Sequence, residues 1–215
     1  MSQDPFVQLK AKQREMWASF TPTAMFTTPV AGHLVRFAHI APGEAVLDVG
    51  TGTGVVALTA ARAGAKVTGL DLTPELLAQA RDNARIAQQE QNIVWTEGDA
   101  EQLPYADASF DVVLSQFGHM FAPRPQQAVA ERLGEQRFDA PFFERGVMAF
   151  PALSLAHYRL FMERSVGPIQ KLVEAHADQP DKLAQLRDEF DALIKPYFAD
   201  NIVRQDYLLT RAQAL

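Results

Sequence analysis

An α/β fold with a doubly wound, mostly parallel sheet and helices on both faces is what this sequence predicts, on three observations. A short apolar run, Ala45 to Val49, leads through glycines at 50, 52 and 54 into a helix-forming stretch from Val55 to Ala63. A second run, Lys66 to Asp71, ends in an acid about twenty residues after the first glycine, where a βαβ unit places a carboxylate for a ribose diol. Further apolar runs, Ile93–Glu97 and Val112–Ser115, continue the alternation of strand and helix.

Taken in order, residues 1–41 read as a helical arm. Lys10 to Trp17 forms one amphipathic helix and Pro29 to Ile40 another, joined by the Pro/Thr-containing loop Phe20–Thr28. Trp17, Phe20, Met25 and Phe26 either pack the arm onto the domain or form a lid; packing is the favoured reading. Pro42-Gly43 turns into the core, residues 42–131. Gly64 takes the left-handed position that ends the first core helix. Thr73 and Pro74 open the next, with Leu76, Leu77, Ala80, Ala84 and Ile86 as its apolar stripe. Residues 132–215 hold strands at 142–150 and 202–211, the second antiparallel to its neighbours. The segment 150–200 between them reads as helical. Ser154 caps its first helix, and His157 and Arg159 are weak candidates for substrate contacts.

The glycine spacing separates two chemistries. A dinucleotide fingerprint has its third glycine three residues after the second, whereas here it follows after two, and an acid, Asp48, ends the strand. Asp-x-Gly-x-Gly-x-Gly at 48–54 resembles the first motif of class I S-adenosylmethionine-dependent methyltransferases. Gly98-Asp99-Ala100-x-x-Leu103-Pro104 and Phe110-Asp111-x-Val113-x-Ser115-Gln116-x-Gly118 resemble later segments of small-molecule members, of the methyltransferase type 11 kind. The order and spacing of these motifs agree across residues 42–131 and more loosely across 142–213.

The resemblance implies a Rossmann-like fold that binds S-adenosylmethionine and yields S-adenosylhomocysteine. Asp48, Gly50, Thr51, Gly52 and Gly54 would serve the methionine part, whose ammonium and sulfonium charges suit a carboxylate. Asp71 with Leu72 would serve the ribose and adenine, Asp99 with Ala100 the base, and Gln116 the methyl-bearing end. The expected reaction is in-line methyl transfer to a small-molecule acceptor, and the resemblance implies that the helical segment 150–200 caps it, its apolar content suiting a hydrophobic or aromatic acceptor. His119 is the one residue placed to act as a base, though a packed or solvent-facing histidine explains it equally well. Two alternatives stay open: a non-catalytic S-adenosylmethionine-binding protein, and a nicotinamide-dependent oxidoreductase, against which the glycine spacing and the lack of a Tyr-x-x-x-Lys pair count.

The pattern departs after the helix Pro125–Glu131. Relatives continue through a Leu-Lys-Pro-Gly-Gly turn into a fifth strand, and this chain goes to Arg132–Gln136 instead. Losing a central strand would leave unpaired backbone groups, at roughly 1–3 kcal/mol each if buried, so a segment missing from the sequence is favoured. An ordinary link near Glu131–Arg132, with Cα atoms about 3.8 Å apart, would refute that.

Composition narrows the class. The net charge of −6 argues against a bulk nucleic-acid binder. With no cysteine, disulfides, zinc–thiolate centres and cysteine nucleophiles are excluded. The histidines are scattered without carboxylates at ligand spacing, so no metal is expected. No apolar run has the length of a membrane span and the first residues lack a signal-peptide pattern, so a cytoplasmic enzyme is expected.

Overall fold

The computed structural model describes residues 5–124 and 138–214. Four strands form its parallel sheet: β1 (Ala45–Val49), β2 (Lys66–Asp71), β3 (Ile93–Glu97) and β4 (Val112–Leu114). Their order is β3-β2-β1-β4, every pairing parallel. β1 lies at the centre and its side chains alternate between two clusters. Val46 faces the helices α2 (Ala24–Phe37) and α3 (Val55–Arg62), and α4 (Pro74–Ile86) adds Ala84 to the same cluster. Leu47 and Val49 face the other way, where Leu70, Leu103, Tyr105 and Phe110 pack on them. Leu47, Leu70 and Leu77 are almost wholly enclosed, and burial of each such side chain stabilises by roughly 1.5–3 kcal/mol.

Local chemistry explains the connections. Gly64 takes φ +97°, as its place after α3 requires. Pro74 opens α4 behind Thr73, whose side chain makes no capping bond; Asp71 instead accepts from the Thr73 N–H at 2.9 Å. Ile86 is exposed and does not belong to the buried stripe.

The arm differs from its expectation. After α1 (Val7–Trp17), residues 18–23 form a 3₁₀ turn, and α2 starts at Ala24, so the expected Pro/Thr loop is helical and Pro29 lies inside α2. The threonines make this feasible by bonding back: Thr23 Oγ1 donates to Phe20 O at 2.6 Å and Thr28 Oγ1 to Ala24 O at 2.7 Å.

Beyond residue 138, β5 (Phe142–Pro151), β6 (Phe198–Ala199) and β7 (Ile202–Arg211) form a second sheet, ordered β5-β7-β6 and antiparallel throughout. The closing strand is therefore antiparallel as expected, but among the described residues it pairs within its own sheet rather than extending the parallel one. Helices α5 (Leu155–Ser165), α6 (Gly167–Ala175) and α7 (Pro180–Ile194) lie between β5 and β6. Ser154 caps α5 by accepting from the His157 N–H at 3.1 Å. The expected helix Pro125–Glu131 and the link near Glu131–Arg132 lie outside the described residues.

Candidate functional site

The carboxyl ends of β1, β2 and β4 and the loop after β3 open onto a cavity of about 180 Å³, the crevice where open α/β sheets bind ligands. The glycine turn forms its floor. Gly50, Gly52 and Gly54 all have positive φ, at +69°, +55° and +84°, and each serves a different purpose. A Cβ on Gly50 would come within 2.9 Å of Gly118 Cα, so here two main chains touch. One on Gly54 would meet the Trp95 ring at 2.7 Å, which makes Gly54 a packing residue of α3; it does not line the cavity. One on Gly52 would meet nothing within 4 Å. We therefore expect Gly52→Ala to cost only about 1 kcal/mol in stability, from its backbone conformation. The same change should weaken S-adenosylhomocysteine binding at least about tenfold by occupying ligand space; thermal unfolding and calorimetry separate the two effects.

Asp48 ends β1 at 1% exposure. Its Oδ2 accepts from Thr51 Oγ1 at 2.5 Å and from the Ala57 N–H at 3.0 Å, while Oδ1 has no partner. Burial pushes this carboxyl up to about 7, against the pull of those two hydrogen bonds, and nearby Asp71 adds to the rise. Asp71 is also raised by burial; it accepts from Gly52 N–H at 2.8 Å and Thr73 N–H at 2.9 Å, tying the glycine turn to β2. Leu72 lines the cavity beside it.

Asp99 and Ala100 border the cavity, and here the structure adds a residue that the motifs do not reveal. Lys10 of α1 reaches both Asp99 Oδ2 and Glu101 Oε2 at 2.6 Å, and Arg124 also holds Glu101. Burial alone would raise the Glu101 carboxyl, but the hydrogen bonds from Arg124 and Lys10 outweigh it and hold it below the usual range. That contribution is present at neutral pH and is lost only as pH falls below the ordinary carboxylate range. Lys10→Met is expected to free the arm at neutral pH, speeding tryptic cleavage at Lys12 and Arg14 by roughly tenfold; time-resolved proteolysis measures it.

Gln116 lies at the end of β4. Its Nε2 donates to Thr27 O at 3.0 Å, which leaves Oε1 buried in the cavity wall without a partner. Phe117 follows at φ +61° and also lines the cavity. The arm adds Gln13, Trp17, Phe20, Thr23 and Thr27 to the lining. Trp17 and Phe20 thus take the lid position, whereas Phe26 stacks on Phe150 at 3.6 Å and Met25 points to solvent. The reading that favoured packing holds for Phe26 and for Trp17, which packs on Phe121 at 4.5 Å while also lining the cavity, and fails for Met25.

Nine of the ten residues expected to hold a cofactor therefore border one cavity: Asp48, Gly50, Thr51, Gly52, Asp71, Leu72, Asp99, Ala100 and Gln116. His119 does not. It sits in a 3₁₀ turn with Nδ1 3.4 Å from Ser115 Oγ, and burial lowers its proton affinity. Residues 150–200, expected to cap the substrate, supply none of the lining among the described residues. His157 accepts from the Leu153 N–H, and Arg159 pairs with Asp191, both within the helical segment. His33 bridges Tyr207 Oη at 2.7 Å and Glu144 Oε1 at 2.6 Å, joining α2 to the second sheet.

A βαβ turn of bare main chain, flanked by acids at the ends of the first two strands, is the arrangement with which open α/β sheets bind nucleosides. The comparisons narrow the class. Residues 46–134 match the family model of a methyltransferase domain. An uncharacterized protein of Mycobacterium tuberculosis is 45% identical over 126 residues, covering 57% of this chain and 45% of that one. The demethylmenaquinone methyltransferase of Tropheryma whipplei is 38% identical over 121 residues, 48% of each chain. The chain thus spans about half the length of the curated relatives it matches. A solved structure from Bacillus halodurans C-125 covers 85% of this chain and 97% of its own, at TM-score 0.54 and 22% identity, and shares the fold. Over residues 46–134 the chain is thus similar to the S-adenosylmethionine-dependent methyltransferase family.

The cofactor of that family is S-adenosylmethionine, and the cavity fits it. Asp48 Oδ1 is a buried, unpartnered carboxylate oxygen suited to an ammonium, Gly52 leaves open space above the turn, and Asp71 and Asp99 supply further acceptors along the wall. Among the described residues, no helix is long and apolar enough to cross a membrane.

Proposed function

We propose that this chain transfers a methyl group from S-adenosylmethionine to a small-molecule acceptor. The observation that carries the reading is the unpartnered Oδ1 of Asp48, enclosed at the floor of a cavity made by a glycine turn. A buried carboxylate oxygen without a donor is costly; an ammonium there would satisfy it. In this reading Asp48, Gly50, Thr51 and Gly52 hold the amino-acid part, Asp71 with Leu72 the ribose and adenine, and Asp99 with Ala100 the base. Gln116 lines the methyl-bearing end, and Gly54 holds the turn in place from behind.

The bound cofactor supplies a methyl group activated by the sulfonium charge. The chain's own part is orientation and the exclusion of water. The arm closes the cavity from above through Lys10, Gln13 and Trp17, and the paired main chains at Gly50 and Gly118 fix the floor. With His119 outside the lining, the reading assigns it no proton transfer. The T. whipplei relative's name supports a small organic acceptor, and a cytoplasmic location goes with that reading. Calorimetry with S-adenosylhomocysteine and with NADH, followed by methyl-transfer assays over phenols, quinones and fatty acids, tests it. Binding of NADH alone would replace it with an oxidoreductase, and cofactor binding without turnover on any acceptor with a non-catalytic binder.

A further inference from the structure

The helices α5 to α7, placed in the chain where a substrate cap was expected, stand behind the arm instead of over the cavity. Ser19 Oγ donates to Gln170 Oε1 at 3.0 Å, and Gly167 packs so closely on Met16 that a Cβ would lie 2.4 Å from its carbonyl oxygen. Phe26 stacks on Phe150 and meets Phe161 edge-on at 5.1 Å. These contacts brace the arm from outside.

On the inner side, Lys10, Gln13 and Trp17 fall at i, i+3 and i+7 and share one face of α1. Lys10 is held by its two acids, and Gln13 Nε2 donates to Phe121 O at 2.8 Å. The Trp17 indole is fixed between Phe20, at 5.2 Å and 88°, and Phe121, at 4.5 Å. The threonines of this wall add little polarity, because the Thr23 and Thr27 hydroxyls donate to Phe20 O and Ala24 O within their own helical turns. Gln116 of β4 meets this wall at Thr27. Its amide nitrogen is committed to Thr27 O, which fixes the side chain and leaves Oε1 as a buried acceptor.

We infer that the arm, rather than the 155–194 helices, selects the acceptor, and that the acceptor is an aromatic ring bearing a hydroxyl group. The ring packs on Trp17 and Phe20 and the hydroxyl donates to Gln116 Oε1. This rests on the methyltransferase reading and gives it a substrate class. An apolar wall of angled rings contributes offset or edge-on ring contacts. The single unpaired oxygen of Gln116 discriminates strongly, since a ligand without a donor leaves it buried and unsatisfied.

The test uses the whole chain saturated with S-adenosylhomocysteine and two probes, 2-naphthol and 2-methoxynaphthalene, which differ in the hydroxyl proton. Calorimetry should show 2-naphthol binding at least about tenfold tighter. Gln116→Leu should abolish that preference while leaving the methoxy compound's affinity in place. Phe20→Ser should weaken both probes about tenfold with the S-adenosylhomocysteine affinity unchanged, and Leu193→Ala on the exposed face of α7 should change neither. Equal affinities for the two probes, a preference that survives Gln116→Leu, or a Phe20→Ser loss shared equally by S-adenosylhomocysteine would overturn the inference. Failure to bind either probe, with S-adenosylhomocysteine still bound, overturns it and leaves the methyltransferase reading intact. The full pattern of probe binding in a chain that does not bind S-adenosylhomocysteine would support the acceptor site and end the cofactor assignment.

Discussion

Asp48→Asn should make the empty protein more stable at pH 8 and at the same time cut its affinity for S-adenosylhomocysteine by roughly 100-fold. Both effects come from the buried carboxyl. Folded, it sits at about 7; its ordinary value is 3.8. Between those pH values the folded chain keeps a proton that the unfolded chain has released. Stability therefore falls as pH rises through this window and levels off above 7, a total of about 4 kcal/mol for an isolated group. Asparagine can still accept from Thr51 and Ala57 but carries no charge to desolvate, so urea unfolding should lose most of this pH dependence and gain a few kcal/mol above pH 7. Ligand binding runs in the opposite direction. An ammonium needs the ionised carboxylate, so parental affinity should fall about tenfold for each pH step below 7, and the variant's should not. A parental affinity that stays flat from pH 5.5 to 8.5 would remove Asp48 from the ligand contacts.

Gly50→Ala is the second large effect, and it acts on the fold. Its φ of +69° disfavours any L side chain, and the added Cβ would lie 2.9 Å from Gly118 Cα and 3.6 Å from the Gly118 carbonyl carbon. Main chain cannot swing aside as a long side chain can. The conformational and packing costs together reach about 3 kcal/mol or more, a fall of roughly 6–12 °C in Tm for a chain of this size. The neighbouring Gly52→Ala, at about 1 kcal/mol, should lower Tm by only about 2–4 °C. Scanning calorimetry on the two variants distinguishes a glycine that holds β1 against the end of β4 from one that leaves space for a ligand. Equal shifts would contradict that division.

Much of the parallel core was legible because its signals are local. Ala45–Val49 and Lys66–Asp71 announce themselves by β-branched runs, Gly64 by its place after a helix, and the acids at 48, 71 and 99 by their distance from the glycines. What escaped depends on partners far apart in the chain. Nothing around Lys10 indicates that it reaches Asp99, 89 positions away, and an amphipathic helix with two lysines reads as a solvated surface. His33 looked isolated for the same reason, since Tyr207 and Glu144 reach it only once β5 and β7 have paired. The start of α2 was hidden by Pro22, Pro29 and the threonines, which ordinarily mark a loop; their hydroxyls bond back to the chain and make a helix instead. Apolar periodicity in α5 to α7 shows that these helices bury a face, without showing on what. That face meets the arm and β5.

The two sheets share no backbone ladder among the described residues. Side chains alone fasten them: His33 to Tyr207 and Glu144, Phe37 stacked on Phe142, Arg211 donating to the Phe37 carbonyl, and Leu209 inserted beside Leu114 in the main cluster. Such a seam can part without breaking a strand, so the molecule should breathe in two blocks. Amides of β5 and β7 are then expected to exchange with deuterium in one concerted step, well before those of β1 and β2, which open only when the whole chain does.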